Sequence, residues 1–286
     1  MIALTGATGQ LGRLVIDHLL TQVPADSIVA VVRSATKAAD LAARGVIVRE
    51  ASYTEPTALQ RAFSGIDRLL LISSSEIGQR TTQHQNVIAS ARQALVGGVI
   101  YTSLLRAATS PLSLAGEHLA TEAILQASGV PAIILRNGWY TENHTASIPA
   151  ALAHGVFVGS AGPGRISWAA RTDYAAAAAA ALTGQRGIEF GRTYELAGDT
   201  AYSLADLAAE LSRQSGRAIP YQNLPEATYR DILLKAGLPA PLAGGLAAWD
   251  VDASHGALLD ESRTLSRLIG RPTTPLAESV KQALGK

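Results

Sequence analysis

Apolar and polar positions fall into alternating blocks along this chain, short apolar runs followed by longer amphipathic ones. The first run, Ile2 to Leu4, breaks at Thr5 into the stretch TGATGQLG, and a helical pattern begins near Gln10 and carries Leu19 and Leu20. Ser27 to Val32 is a β-branched run between Pro24 and Arg33 and predicts a second strand. Helical composition from Thr36 to Arg44 stops at Gly45, a residue suited to ending a helix. Val46 to Arg49 predicts a third strand, and Glu55-Pro56 opens a helix through Leu59 and Phe63 that Gly65 closes. Leu69 to Ile72 is unbroken apolar sequence, as expected of a strand covered on both faces. A helix over Thr82 to Leu95, a strand over Val99 to Thr102, a helix over Leu114 to Ala127 and a strand over Ala132 to Leu135 continue the rhythm.

Strands separated by helices in this order imply right-handed crossovers and a parallel sheet. The expected fold class is α/β, a Rossmann-type doubly wound parallel sheet with a smaller mixed C-terminal lobe. After about Asn143 the pattern loosens: Gly155, Gly159, Gly162 and Gly164 mark turns. Helices recur at Thr172 to Leu182, Leu204 to Gln214 and Glu226 to Ala236. Residues 1–150 are read as a nucleotide-binding domain and 151–286 as a substrate-side lobe, with some of Gly155 to Glu195 returning to the main sheet.

Composition narrows the classes. The hydrophobic share is 48% and the charged share 16%, which suits a globular enzyme with an ample core. A net charge of +1 with no basic cluster gives no electrostatic reason to expect nucleic acid or an anionic membrane surface as partner. The chain has no cysteine, which excludes disulfides, thiolate metal sites and a cysteine nucleophile, and fits a cytoplasmic location. His84, His144, His154 and His255 share no metal-like spacing, so no metal is expected, and they are read as solvated or capping residues. With Gly6 so close to the start, a cleaved secretory signal is not expected. No apolar stretch approaches the ~20 residues of a membrane span; Ala175 to Ala181 comes nearest and reads as a tightly packed helix.

The chemistry gathers where strands end. Ligands of such sheets bind beyond the carboxyl ends of the strands. Glycines 6, 9 and 12, with Ala7, Thr8, Gln10 and Leu11 between them, permit a tight turn and a close ligand approach. The helix N-terminus that follows attracts an anion, pyrophosphate above all. Taken alone, the glycines equally describe a ligand-free strand–helix turn. Arg33 closes the second strand 21 positions after Gly12. An acid there would bind the ribose hydroxyls of NAD, whereas arginine meets the 2′-phosphate of NADP. Lys37, one turn on, adds a second and looser cation.

TGATGQLG with Arg33, YTSLL at Tyr101 to Leu105, HLATE at His118 to Glu122, LISSSE at Leu71 to Glu76 and LRNGWYTEN at Leu135 to Asn143 resemble the NmrA-like atypical short-chain dehydrogenases/reductases. Within that family the likeness is greater to the NAD(P)H:quinone oxidoreductases than to the triphenylmethane dye reductases, and it runs to the last helix. The resemblance implies NADP(H) as cofactor and a small quinone as substrate. It implies pyrophosphate on Gly6 to Gly12 and the 2′-phosphate on Arg33. Ser73, Ser74 and Ser75 would lie along the ribose and linking phosphates, while Asn137, Gly138, Trp139, Tyr140, Thr141 and Glu142 would border the nicotinamide. Trp139 and Tyr140 also suit the packed seam between two lobes, where ligand clefts form.

Two positions depart from the family pattern. Ser52 stands where many relatives place an acid near the adenine. The segment SLAGEHLATE, Ser113 to Glu122, lacks the tyrosine–lysine pair that protonates a carbonyl oxygen, and His118 takes the place of the lysine. A quinone needs less help, because its hydroquinone is a weakly basic oxyanion that water can protonate. His118 is the candidate proton donor, since an unperturbed imidazole titrates near neutrality; it reads equally as a polar residue on the cleft side of its helix. A non-catalytic NADP(H)-sensing regulator and a reductase of dyes or other electrophiles fit the same residues. Either a monomer or a homodimer fits the sequence. Arg33→Ala is expected to weaken NADPH binding far more than NADH binding, and added salt to narrow the gap. Equal losses in calorimetric titrations would show that the arginine does not read the phosphate.

Overall fold

The computed structural model describes residues 1–286. Its strands are β1 (Ile2–Thr5), β2 (Ile28–Val32), β3 (Ile47–Glu50), β4 (Arg68–Leu71), β5 (Gly98–Leu104), β6 (Ala132–Asn137), β7 (Phe157–Gly159), β8 (Thr193–Leu196) and β9 (Tyr221–Asn223). Between the sheet strands lie α1 (Gln10–Leu20), α2 (Ala39–Ala43), α3 (Pro56–Ala62), α4 (Arg80–Gln93) and α5 (Ala115–Ser128). Next come α6 (Glu142–Thr145), α7 (Ile148–His154), α8 (Arg171–Thr183), α9 (Leu204–Ser215), α10 (Glu226–Lys235), α11 (Ala240–Ser254), α12 (Thr264–Ile269) and α13 (Leu276–Ala283). No helix is long and apolar enough to cross a membrane.

Seven strands form one parallel sheet in the order β3-β2-β1-β4-β5-β6-β8, with Ile2 of β1 level with Ile28 on one side and Arg68 on the other. The chain winds outward through β2 and β3, then jumps back across β1 to β4, so the winding reverses between β1 and β4. Successive side chains of a strand point to opposite faces, which explains the unbroken apolar runs. Leu69 and Leu71 enter the core beneath α3, α4 and α5, while Leu70 enters the core shared with α1 and α8. Val29 and Val31 divide from Ile28, Ala30 and Val32 in the same way.

The alanine run lies on the sheet. Ala175 and Ala177 to Ala181 are buried, and their small side chains let α8 pack closely beside α1. Arg68 at the start of β4 donates to the carbonyl of Ala181 at 2.8 Å, satisfying an acceptor in the last turn of α8. The chain then adds β8 alongside β6, with Glu195 level with Arg136. The remaining elements build a second core around Phe157, Trp168, Leu207 and Leu211, with β7 and β9 as a two-stranded parallel sheet.

Three expectations are corrected by packing. The helix expected from Thr36 splits into a 3-10 turn, Ala35–Ala38, followed by α2. Arg13 takes the carbonyl of Lys37 at 3.2 Å, and Glu50 accepts from the amide of Ala35 at 2.8 Å. The strand expected over Val99 to Thr102 extends to Leu104, because β6 pairs with it through Asn137. His84 and His144 are buried rather than solvated. His144 accepts from Trp168 Nε1 at 3.1 Å and bonds Asp250 at 3.2 Å, joining α6 to α11.

Asp173 ties the last helices to the sheet. Fully buried in the first turn of α8, its carboxylate accepts from the amide and hydroxyl of Thr274 at 2.8 and 3.0 Å and from Arg271 at 2.7 Å. Asp173→Ala leaves those donors without a partner and is expected to lower stability by about 2–4 kcal/mol. Asp173→Asn, which keeps an acceptor, should lose less, as read from urea unfolding midpoints.

Candidate functional site

A cleft of about 1390 Å³ opens at the carboxyl ends of the strands, over the reversal between β1 and β4. That exceeds the ~300–1,000 Å³ of a typical small-molecule site and suits an extended ligand with a second molecule beside it. Its floor is the turn from β1 into α1. Gly6 has a φ of +62°, which favours glycine, and a Cβ added to Gly12 would lie 2.3 Å from the carbonyl oxygen of Gly6. Any side chain at residue 12 would force α1 off the strand. The first turn of α1 leaves the amides of Gln10, Leu11 and Gly12 without intrahelical acceptors, so three donors gather where a diphosphate would be held.

At one end of the cleft stand Arg33, Lys37, Ser52 and Tyr53. The Arg33 guanidinium is 77% exposed and bonds Glu76 at 2.9 Å. Ser52, in the place of the family's acid, bonds Thr54 at 2.9 Å. Tyr53 donates to the carbonyl of Ile72 at 3.1 Å, which fixes its ring at the cleft edge.

Above the turn runs the loop after β4, carrying Ser73, Ser74 and Ser75, all in the cleft lining. It is pinned from behind. The amide of Ser73 donates to Thr102 Oγ1 at 2.9 Å, and that of Ser74 to His84 Nε2 at 2.9 Å. With Nε2 accepting, the Nδ1 proton goes to Thr121 Oγ1 at 2.9 Å, which in turn donates to the carbonyl of Glu117 at 2.9 Å. Arg80 holds the carbonyl of Ser74 at 2.7 Å and pairs with Glu117 at 3.3 Å. These supports were missed by the sequence reading, since lone polar residues on a helix carry no local sign of what they hold.

At the far end, Asn137, Gly138, Trp139 and Tyr140 follow β6 into the cleft. Asn137 Oδ1 is buried with no protein donor, an acceptor suited to an amide of a bound ligand. Trp139 meets Trp249 edge to face at 5.7 Å, and Tyr140 meets Tyr174 at 5.1 Å. Both residues therefore pack the seam and line the cleft. Leu242, Leu246 and Trp249 come from one face of α11. Their i, i+4, i+7 spacing is the signal that would have found them.

Three expected residues lie outside the lining. Ala7 is fully buried in the core below the turn. Thr141 is buried, its amide donating to the carbonyl of Ala169 at 3.0 Å. Glu142 accepts from the amide of Arg171 through both oxygens, at 2.9 and 3.0 Å, so it caps the N-terminus of α8 and favours that helix dipole. Thr141 and Glu142 thus position the cleft wall from behind.

His118 lies in the cleft lining, 5% exposed, with Nδ1 2.7 Å from the Tyr101 hydroxyl. Burial, with the Arg80 charge adding to it, pushes His118 down to about 3, and the same causes push His84 down to about 3. Burial also raises Tyr101, so the phenol keeps its proton and shares a hydrogen bond with Nδ1. His118 is then a neutral imidazole. Burial thus runs against an acid titrating near neutrality at His118 and keeps its ring neutral.

The sequence profile of the NAD(P)H-binding family matches residues 6–185. The chain belongs to this NAD(P)H-binding family. Quinone oxidoreductase 2 of Escherichia coli K12 is 58% identical over 280 residues, covering 98% of this chain and 97% of that protein. The crystal structure of the NADPH-dependent quinone oxidoreductase of E. coli complexed with NADPH superposes with a TM-score of 0.96 at 56% identity, covering 99% of this chain and all of that one. Triphenylmethane reductase of Citrobacter sp., solved with NADP(H), superposes at 0.94 with 40% identity, over 99% and 100% of the two chains. The family's cofactor suits the cleft, since a glycine cradle that a Cβ would fill meets an orphaned acceptor at the opposite end.

Both buried histidines have folded-state values below that of a free imidazole, so the fold binds fewer protons than the unfolded chain. Their stabilising contribution is complete above about pH 6.5 and is lost progressively as pH falls towards 3. Ring NMR signals of His84 and His118 are expected not to titrate between about pH 5 and 8. A His118 midpoint near 6.5 would contradict the neutral imidazole.

Proposed function

We propose that this chain is an NADPH-dependent oxidoreductase that transfers a hydride to a quinone. The observation that carries this reading is one cleft that joins an anion-holding turn and an exposed guanidinium to an aromatic wall, in a chain 58% identical to a quinone oxidoreductase over nearly its whole length.

The bound cofactor supplies the hydride. In this reading the amides of Gln10, Leu11 and Gly12 hold its pyrophosphate, and Arg33 with Lys37 hold the 2′-phosphate. Ser73 to Ser75 lie along the ribose and linking phosphates, kept in place by His84 and Arg80. Asn137 to Tyr140 border the nicotinamide, and Trp139, Leu246 and Trp249 give a planar acceptor an apolar wall that keeps water out. Placement of the two reactants at contact distance is the main catalytic contribution.

A quinone that receives a hydride becomes a hydroquinone monoanion, and one proton completes the hydroquinone. In this reading the Tyr101 phenol donates to Nδ1 of His118, and the Nε2–H that this leaves holds a donor where that oxygen charge develops. Its proton stays on the ring, because the neutral imidazole donates without titrating, and the proton that completes the product comes from water. The missing tyrosine–lysine pair is no obstacle to this reaction.

Purified protein mixed with NADPH and small benzoquinones is expected to oxidise NADPH, followed by absorbance, well above the uncatalysed rate. Tight NADPH binding without turnover would replace this reading with that of a sensor. Turnover of triphenylmethane dyes but not quinones would favour dye reduction, which the 40% identity to triphenylmethane reductase makes the second reading. His118→Phe should lower kcat about tenfold with NADPH affinity unchanged, less than the ~100–1,000-fold of an oxyanion-hole donor because the hydroquinone anion is weakly basic.

A further inference from the structure

The cleft lining holds five cationic side chains, Arg13, Arg33, Lys37, Arg80 and Arg171, and a single acidic one, Glu76. Two of the cations are neutralised from outside the lining, Arg13 by Asp40 and Arg80 by Glu117. Arg33 is different: its partner is Glu76, inside the cleft, at 2.9 Å. Glu76 does not drift there as a loose surface acid. Its other oxygen accepts from Gln83 Nε2 at 2.7 Å, and its amide donates to Ser74 Oγ at 3.1 Å. Gln83 is buried and leaves its own Oε1 without a donor to keep its NH₂ on that carboxylate. An unpaired buried acceptor is costly, so the carboxylate is held in place at a price the fold maintains.

We propose that Glu76 is a specificity-determining residue that competes with the 2′-phosphate of NADP(H) for Arg33 and moderates the preference of the cleft for the phosphorylated dinucleotide. The inference rests on the reading of Arg33 given above. A phosphate that bonds the same guanidinium comes within a few ångströms of the Glu76 carboxylate, and like charges at ~5 Å repel even in water. A 2′-hydroxyl carries no such charge and can donate to the carboxylate, as it does to the acid that closes this strand in NAD-binding relatives of the fold. Glu76 therefore disfavours NADPH and favours NADH, against the direction set by Arg33.

Calorimetric titration of the full chain with NADPH, NADH, 2′,5′-ADP and ADP tests this, with E76Q, R33A and the double variant. Glu76→Gln keeps an acceptor for Gln83 and removes only the charge. It is expected to tighten NADPH and 2′,5′-ADP about 2–5-fold and to weaken NADH, the scale of an exposed ion pair. The gain should shrink with added salt, and in the R33A background only the smaller part due to direct charge repulsion should remain. E76A, which also frees Arg33, should shift the selectivity in the same direction. An unchanged or lowered NADPH-to-NADH preference in both Glu76 variants, with R33A still selective against NADPH, overturns this inference alone. Equal loss of both dinucleotides in R33A overturns the reading of Arg33 and this inference together.

Discussion

Everything in this cleft depends on how closely the main chain at Gly12 approaches the carbonyl of Gly6. Space for a hydrogen but not for a methyl carbon lets α1 start directly above the end of β1. Its first three free amides then face the carboxyl edge of the sheet instead of solvent. The winding reversal between β1 and β4 leaves that edge uncovered, and a ligand can lie across it. The cations, the serine loop and the aromatic wall are arranged around a donor cluster whose place the glycines set.

The supports behind the cleft follow one pattern. Groups that shape the cleft are each held in place by a second polar partner. Ser74 is held by His84 and Arg80, Tyr53 by the carbonyl of Ile72, and the N-terminus of α8 by Glu142. Such second partners fix direction, and directed donors at a charged ligand need no reorganisation when it binds. The burial that lets His84 and His118 serve in this way also strips them of their usual titration. A histidine in the lysine's place is thus a different device, a neutral ring bonded to the Tyr101 hydroxyl.

The C-terminal lobe contributes a wall more than chemistry. Trp249 donates to Ser113 at 3.0 Å and meets Trp139 across the seam, so α11 is fastened to the strand-side loops by one hydrogen bond and one aromatic contact.

The sequence by itself determined the alternation of strands and helices, the glycine turn, the arginine after β2 and the motif stretches that carry the family likeness. These are local: β-strand periodicity, a glycine-only backbone and a contiguous motif each sit within a dozen residues. Only the tertiary structure decided that Thr141 and Glu142 brace the wall instead of lining it, that His118 is neutral, and that Arg33 shares its charge with Glu76. Those properties depend on residues far apart in the chain, 43 positions in the case of Arg33 and Glu76. Burial and partnership between distant side chains have no signature in a run of neighbours, and they set the protonation and electrostatics of the site.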